Sequence, residues 1–238
     1  MKTRLLVSFW LLLLVWLVVP QSAIGQQLHP TDSYQYEVAK KNKAIAFQNN
    51  KAFTAEAPTL NSAEKTATTF FRTCKEMIPI DSSFLVVPFE VNGTVVPPFY
   101  RNDDRSSLSL PLPFNFCFYG QTYNSVFINN NGSISFDAPH GTFVPDSFPT
   151  IFYKMIAPFW ADVDTRNLQS GLVYYKITAT HMIVTWDHVG YYDKHADKKN
   201  TFQLIITNGQ DTILKPGKNV SFRYDEMQWT TGDIGGIN

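Results

Sequence analysis

The feature that most limits what this chain can fold into is a repeat of two. Phe114, Phe116 and Phe118 alternate with Asn115, Cys117 and Tyr119. Successive side chains of an extended strand point to opposite faces, so the three phenylalanines share one face and Cys117 is expected on the other. Similar short runs begin at Phe84. Phe84 to Val91 is one, interrupted by Pro88, and Asn92-Gly93 follows as a turn. Pro97-Pro98 and Asn102-Asp103-Asp104 read as loop, and Gly120-Gln121 turns the chain. Ser125 to Asn129 and Ser133 to Asp137 flank Asn130-Asn131-Gly132, a hairpin signal because Asn and Gly tolerate positive φ. Leu172 to Thr178 and His181 to Asp187 form another hairpin across Ala179-Thr180, with Met182, Val184 and Trp186 on one face. Thr201 to Thr207 groups Phe202, Leu204 and Ile206 ahead of the turn Asn208-Gly209. Asn219 to Tyr224 groups Val220, Phe222 and Tyr224. About nine short strands at this spacing, with no βα alternation, predict an all-β fold: an antiparallel β-sandwich-like domain.

The densest stretch is Ile156 to Asp164, I-A-P-F-W-A-D-V-D. Read as one extended segment, it places Trp160, Asp162 and Asp164 on one side and Phe159, Ala161 and Val163 on the other. An aromatic core element would then run into an acidic rim. Pro158 has no N–H for a ladder, so the strand is expected at an edge or just beginning there.

The N-terminus reads as a targeting segment. Lys2 and Arg4 precede the apolar run Leu5 to Val19, and Ala23-Ile24-Gly25 gives a small-x-small site for cleavage before Gln26. The run falls short of the ~20 residues that span a bilayer. The expected division is therefore a signal peptide over residues 1–25, a polar, partly helical leader over 26–83, and the β domain over 84–238, with no transmembrane segment after cleavage. Within the leader, Val38 to Phe47 and Glu64 to Met77 are the helical candidates. Neither has a convincing apolar stripe, which suggests loose packing. With 20 basic and 20 acidic residues the formal net charge is zero. That argues against nucleic acid as a partner, since phosphate contacts need a basic face.

Cys74 and Cys117 are the only cysteines. In an exported chain a disulfide is the simplest reading, worth about 4 kcal/mol for a loop of this length; two unpaired thiols is the other. Asn92, Asn131 and Asn219 each begin an N-x-Ser/Thr sequon. Asn131, in a hairpin turn, is the one expected to be accessible.

Four stretches, taken in order, resemble a known family. They are L-P-F-N-F-C-F-Y-G-Q-T-Y (112–123) running into V-F-I-N-N-N-G-S-I-S-F (126–136); I-A-P-F-W-A-D-V-D-T-R (156–166) leading to G-L-V-Y-Y-K (171–176); V-T-W-D-H-V-G-Y-Y (184–192) and N-T-F-Q-L (200–204); and F-R-Y-D-E-M-Q-W-T-T-G (222–232). Together they are similar to the nidogen-like (NIDO) extracellular domain and cover about residues 84 to 238. The resemblance implies a non-catalytic module of extracellular matrix and cell-surface proteins, associated with cell–matrix adhesion. Its partner would be an extracellular matrix or cell-surface protein, and its location secreted or at the cell surface. The family pattern continues past Trp229 with another Gly-rich turn and strand, where this sequence ends at Gly235-Gly236-Ile237-Asn238, so a truncated domain is one expectation.

Other chemistries compete with that reading. Asp162 and Asp164 begin a Ca²⁺ site that a lectin-like, carbohydrate-binding domain would use, but six to eight oxygens are needed. The plainer reading has both accept backbone N–H bonds in a turn and pair with Arg166. A glycosidase would join them to Asp187 or Asp193 across a cleft. His29, His140, His181, His188 and His195 lack zinc-ligand spacing. The sequence therefore assigns no catalytic, cofactor or metal residue and expects no enzyme. Tyr174-Tyr175 and Tyr191-Tyr192 offer recognition surface, with one ring of each pair turned inward by alternation.

Overall fold

A computed structural model describes residues 34–51, 76–89, 100–145 and 153–230. Helix α1 covers Tyr34–Lys51. Ten strands follow among the described residues: β1 Leu85–Val86, β2 Leu110–Phe118, β3 Gln121–Asn129, β4 Ser133–Ser135, β5 Met155–Ile156, β6 Val163–Asp164, β7 Leu172–Ile177, β8 His181–Tyr191, β9 His195–Thr207 and β10 Val220–Met227. They make two antiparallel sheets. One has the order β1-β7-β8-β9-β10 with β6 also paired to β8, and the other the order β2-β3-β4-β5. The all-β, two-sheet architecture is the one that the alternating runs predicted.

Alternation explains the core. Leu112, Phe114 and Phe116 of β2 are buried and Cys117, next in the chain, is exposed. Met182, Val184 and Trp186 of β8 face the same interior as Phe202, Leu204 and Ile206 of β9, where Val126, Ile128 and Ile134 meet them from the other sheet. Trp186 stacks on Phe202 with ring centroids 5.0 Å apart. Its indole N–H donates to the Asn130 carbonyl at 3.0 Å, so the polar end of the largest core side chain is satisfied across the sandwich. The outer faces of β8 and β9 are covered too: Ile183 and Ile205 pack with Phe84 and Leu214.

Three expectations are revised. The run from Phe84 shortens to β1, with Phe89 making only an isolated bridge to Ser107, as Pro88 between them withholds a ladder donor. The Ile156–Asp164 stretch is not one strand. β5 pairs with β4 in one sheet and β6 with β8 in the other, so residues 157–162 carry the chain across the sandwich. Helix α1 is longer than Val38 to Phe47; Val38 and Ile45 on it are exposed, as the lack of an apolar stripe implies, whereas Lys40 is 3% exposed. Of the second helical candidate, Glu76 and Met77 are not helical; Glu64 and the rest lie outside the described residues. So do residues 1–25 (the expected signal peptide), Cys74, Asn92-Gly93, Pro97-Pro98 and the C-terminal Gly235–Asn238. Among the described residues no helix is long and apolar enough to cross a membrane.

Candidate functional site

Where the chain crosses between sheets, the acidic residues do not form a rim. Asp162 is 1% exposed and Asp164 fully buried. The loop carrying Asn102, Asp103 and Asp104 lies against them. The asparagines of the β3–β4 turn hold the two segments together. Asn130 Nδ2 donates to the Asp103 carbonyl at 2.6 Å and to the Val163 carbonyl at 2.5 Å. Asn131 Nδ2 donates to Asp104 Oδ1 at 2.8 Å, while its Oδ1 accepts the Val163 N–H at 3.0 Å. Asn131 is 1% exposed. The expectation of an accessible glycan acceptor there is therefore wrong: its amide is committed to the interior. Asn219 sits half-buried ahead of β10.

Asp164 follows the plain reading. It accepts the backbone N–H of Arg166 at 2.9 Å and of Lys194 at 3.0 Å, and the Arg166 guanidinium grips both its oxygens. Asp162 does not pair with Arg166. Its Oδ1 lies 2.7 Å from Lys40 Nζ, which also contacts Asp103 Oδ2 at 2.7 Å and Asp104 Oδ1 at 3.2 Å. The ammonium sits 4.3 Å from the centroid of the Tyr192 ring and 4.6 Å from that of Phe143, a cation–π arrangement that partly replaces lost hydration. Helix geometry supplies the rest. Tyr36 is one turn before Lys40 on the same face, and its hydroxyl donates to Asp103 Oδ2 at 3.0 Å and to Asp104. Glu37 pairs with Arg166 and accepts the Tyr192 hydroxyl at 2.6 Å. Tyr192 is 1% exposed and Tyr191 8%, so this pair offers no recognition surface.

The electrostatics follow from burial and crowding. Burial and the adjacent Asp104 carboxylate push Asp103 up to about 8 against the pull of Lys40. Burial likewise raises Asp162. For Lys40, burial disfavours the charge, but Asp162, Asp104 and Asp103 outweigh it and hold the ammonium protonated. Arg166 is held charged in the same way, by Asp164 above all. Asp103 Oδ1 and Asp162 Oδ2 are buried with no hydrogen-bond partner among the described residues.

The carboxylates needed for glycoside hydrolysis are not brought together. Asp187 lines an open groove of about 550 Å³ beneath residues 76–80, with His188, Thr201 and Asp225. Asp162 lies buried under α1, and Asp193 pairs with Lys41 at 3.4 Å at the surface. Nor does either Asp162 or Asp164 reach the surface to touch a glycan. Asp162 and Asp164 stand out in the sequence, whereas Asp103-Asp104 reads as plain loop and Lys40 carries no local mark. The only available signal was a second acidic pair in a loop, which says nothing of what lies opposite.

Residues 82–234 match the family described as NIDO related. The chain belongs to that family. Asp103, Asp104, Asp162 and Asp164 lie within the matched NIDO region, and Tyr36, Glu37 and Lys40 lie ahead of it. The chain is similar to mouse alpha-tectorin, 34% identical over 64% of this chain and 8% of that protein. It is also similar to mouse nidogen-2, 31% identical over 51% of the chain and 11% of the relative, and to Drosophila melanogaster nidogen, 28% identical over 56% and 12%. It thus spans about a tenth of the length of these relatives. No solved structure matches it.

Proposed function

We propose that this NIDO domain is a non-catalytic, secreted or cell-surface module for extracellular protein interaction and cell–matrix adhesion. The observation that carries the reading is an apolar opening at one side of the sandwich. Val220, Phe222 and Tyr224 of β10 pair directly with Ile206, Leu204 and Phe202 of β9, so they share the face that β9 turns to the core. Their β9 partners are buried, yet Phe222 is 44% and Tyr224 49% exposed. The second sheet stops short of β10 and leaves a groove of about 340 Å³, between Phe222 and Val220 on one side and Phe118, Tyr119 and Met155 on the other. Tyr119 at its mouth is 89% exposed. Aromatic side chains around an open apolar groove suit a protein partner, and as the last strand in its sheet's order among the described residues β10 can also offer backbone groups to an added strand.

Family membership supports the extracellular setting, because the relatives are alpha-tectorin and nidogens. The test is adhesion of cells, and retention of the soluble protein, on cell-derived matrix. Phe222→Asp and Tyr119→Ser are expected to cut retention about thirtyfold or more, as hot-spot losses of ≥2 kcal/mol do, while leaving the fold intact. Retention unchanged in both variants would refute the assignment to this face.

A further inference from the structure

The ionic cluster beneath α1 poses a question of valence. Among the described residues, Asp103, Asp104, Asp162, Asp164 and Glu37 are paired with two cationic groups, Lys40 and Arg166. Arg166 is occupied by Asp164, Asp103 and Glu37. The remaining cluster of Asp103, Asp104 and Asp162 brings one oxygen from each within 4.8 Å of the others. An ammonium has three N–H bonds to give, and Lys40 points at one oxygen of each carboxylate. Two more oxygens, Asp103 Oδ1 and Asp162 Oδ2, stay buried without a donor among the described residues. Each is bonded to the same carbon as an oxygen that touches Lys40, so each belongs to the same small volume. Buried acceptors left unpaired are costly and need an explanation.

A calcium ion answers each of these points. It takes six to eight oxygens, accepts bidentate carboxylates, and brings two positive charges where the lysine brings one. One oxygen of each carboxylate converges on the site, and the second oxygens of Asp103 and Asp162 are the two that Lys40 leaves unpaired. Magnesium fits less well, because it keeps several waters and prefers monodentate ligands, and this cluster is walled by the Phe143 and Tyr192 rings. The three acids lie inside the NIDO region and Lys40 outside it, so the acidic cradle belongs to the domain and the ammonium comes from the leader.

We propose that Asp103, Asp104 and Asp162 form a calcium-class divalent-cation site for which Lys40 of α1 is the built-in competitor. Lysine holds the site through three charge-assisted contacts and two rings; calcium holds it through more oxygens and more charge. Binding of the ion expels Lys40 and competes for the carboxylates that Tyr36 contacts, so α1 loses its buried anchor, while the Glu37–Arg166 pair and the exposed Lys41–Asp193 pair hold it only at the surface. Helix release is thereby linked to extracellular calcium, for which sites of such modules have dissociation constants of about 10⁻⁴–10⁻³ M.

The probe is terbium, a calcium-sized ion whose luminescence is sensitised by nearby tyrosine, here Tyr36 and Tyr192. Titrated into the full secreted chain, it should give a signal that millimolar calcium reverses. Asp162→Asn and Asp104→Asn should abolish that signal. Lys40→Met, which removes the competitor, should tighten binding by about tenfold or more, within the range of ordinary site coupling. In parallel, trypsin should cut the wild-type chain after Lys41 or Lys43, both exposed on α1, several-fold faster in calcium than in chelator. If Lys40→Met folds only when calcium is added, the ion has replaced the lysine and the proposal stands. No calcium-reversible luminescence in wild type or Lys40→Met would overturn it. So would luminescence that survives Asp162→Asn, or cleavage of α1 indifferent to calcium: Lys40 would then be a permanent counter-ion.

Discussion

Gly132 closes the β3–β4 turn at φ +80° and sits against the crossing segment. An alanine there would place its Cβ 1.8 Å from the Phe159 carbonyl oxygen and 3.3 Å from Phe202 Cζ. Two costs follow. The left-handed backbone disfavours any residue with a Cβ by about 1–2 kcal/mol. The clash is with backbone rather than a flexible side-chain tip, so the 157–162 segment must retreat by more than an ångström. Overpacking of that kind costs about 1–3 kcal/mol. Together Gly132→Ala should destabilise the domain by about 2–5 kcal/mol. Gly120 supplies the control. Its φ is +75°, but a Cβ there meets nothing within 4 Å, so Gly120→Ala should show the backbone cost alone. Guanidinium unfolding of both variants, compared at equal m, measures the difference. Equal losses in the two would refute the argument that the crossing segment is packed against the turn. Because Asp162 rides on that segment, Gly132→Ala should also make α1 easier to cleave, whereas Gly120→Ala should not.

Replacing Arg166 by Met would strand Asp164, which is fully buried and whose two backbone donors do not cancel its charge. The expected loss is about 3 kcal/mol, the low end for breaking a buried pair, read by chemical denaturation; Arg166→Met within error of wild type would refute it. Asp211 concerns acid. Burial acts to raise it, but hydrogen bonds from Thr180, the Ile213 N–H and His181 outweigh that and lower it from 3.8 to about 2. A carboxyl depressed in the folded state stabilises above its unfolded value, and that stability disappears as pH falls through the folded one. Between pH 3.8 and about 2 the chain should lose this contribution, and Asp211→Asn should flatten that part of a pH–stability curve. An unchanged acid slope would show that Asp211 does not titrate there.

Much of this was legible in the sequence because strand pairing is local chemistry. Phe114 and Phe116 declared their face through a period of two, and Met182, Val184 and Trp186 did the same on β8. Asn130-Asn131-Gly132 announced a turn through the backbone freedom of its residues. The hairpins, the two-sheet class and the inward faces follow from neighbours along the chain, and the four NIDO-like stretches lie on those same elements.

Other facts depend on which segments meet after folding. Ile156 to Asp164 reads as one strand, yet its ends join different sheets, because Pro158 withholds a ladder donor and each half finds a better-matched partner. The alternation of β10 was legible, but its exposure was not: the sequence does not say where the second sheet ends. Asn131 looked like a surface turn and is buried, since its side chain binds the Asp104 carboxylate and the Val163 N–H. Above all, Lys40 is far in sequence from Asp103, Asp104 and Asp162. Burial of charge is decided by what surrounds it, and one lysine among several on a helix without an apolar stripe gives no local sign of the three carboxylates it will meet. The sequence by itself determined the strands and the faces they bury; only the tertiary structure, by closing two sheets and a helix around one volume, decided where the charges would lie.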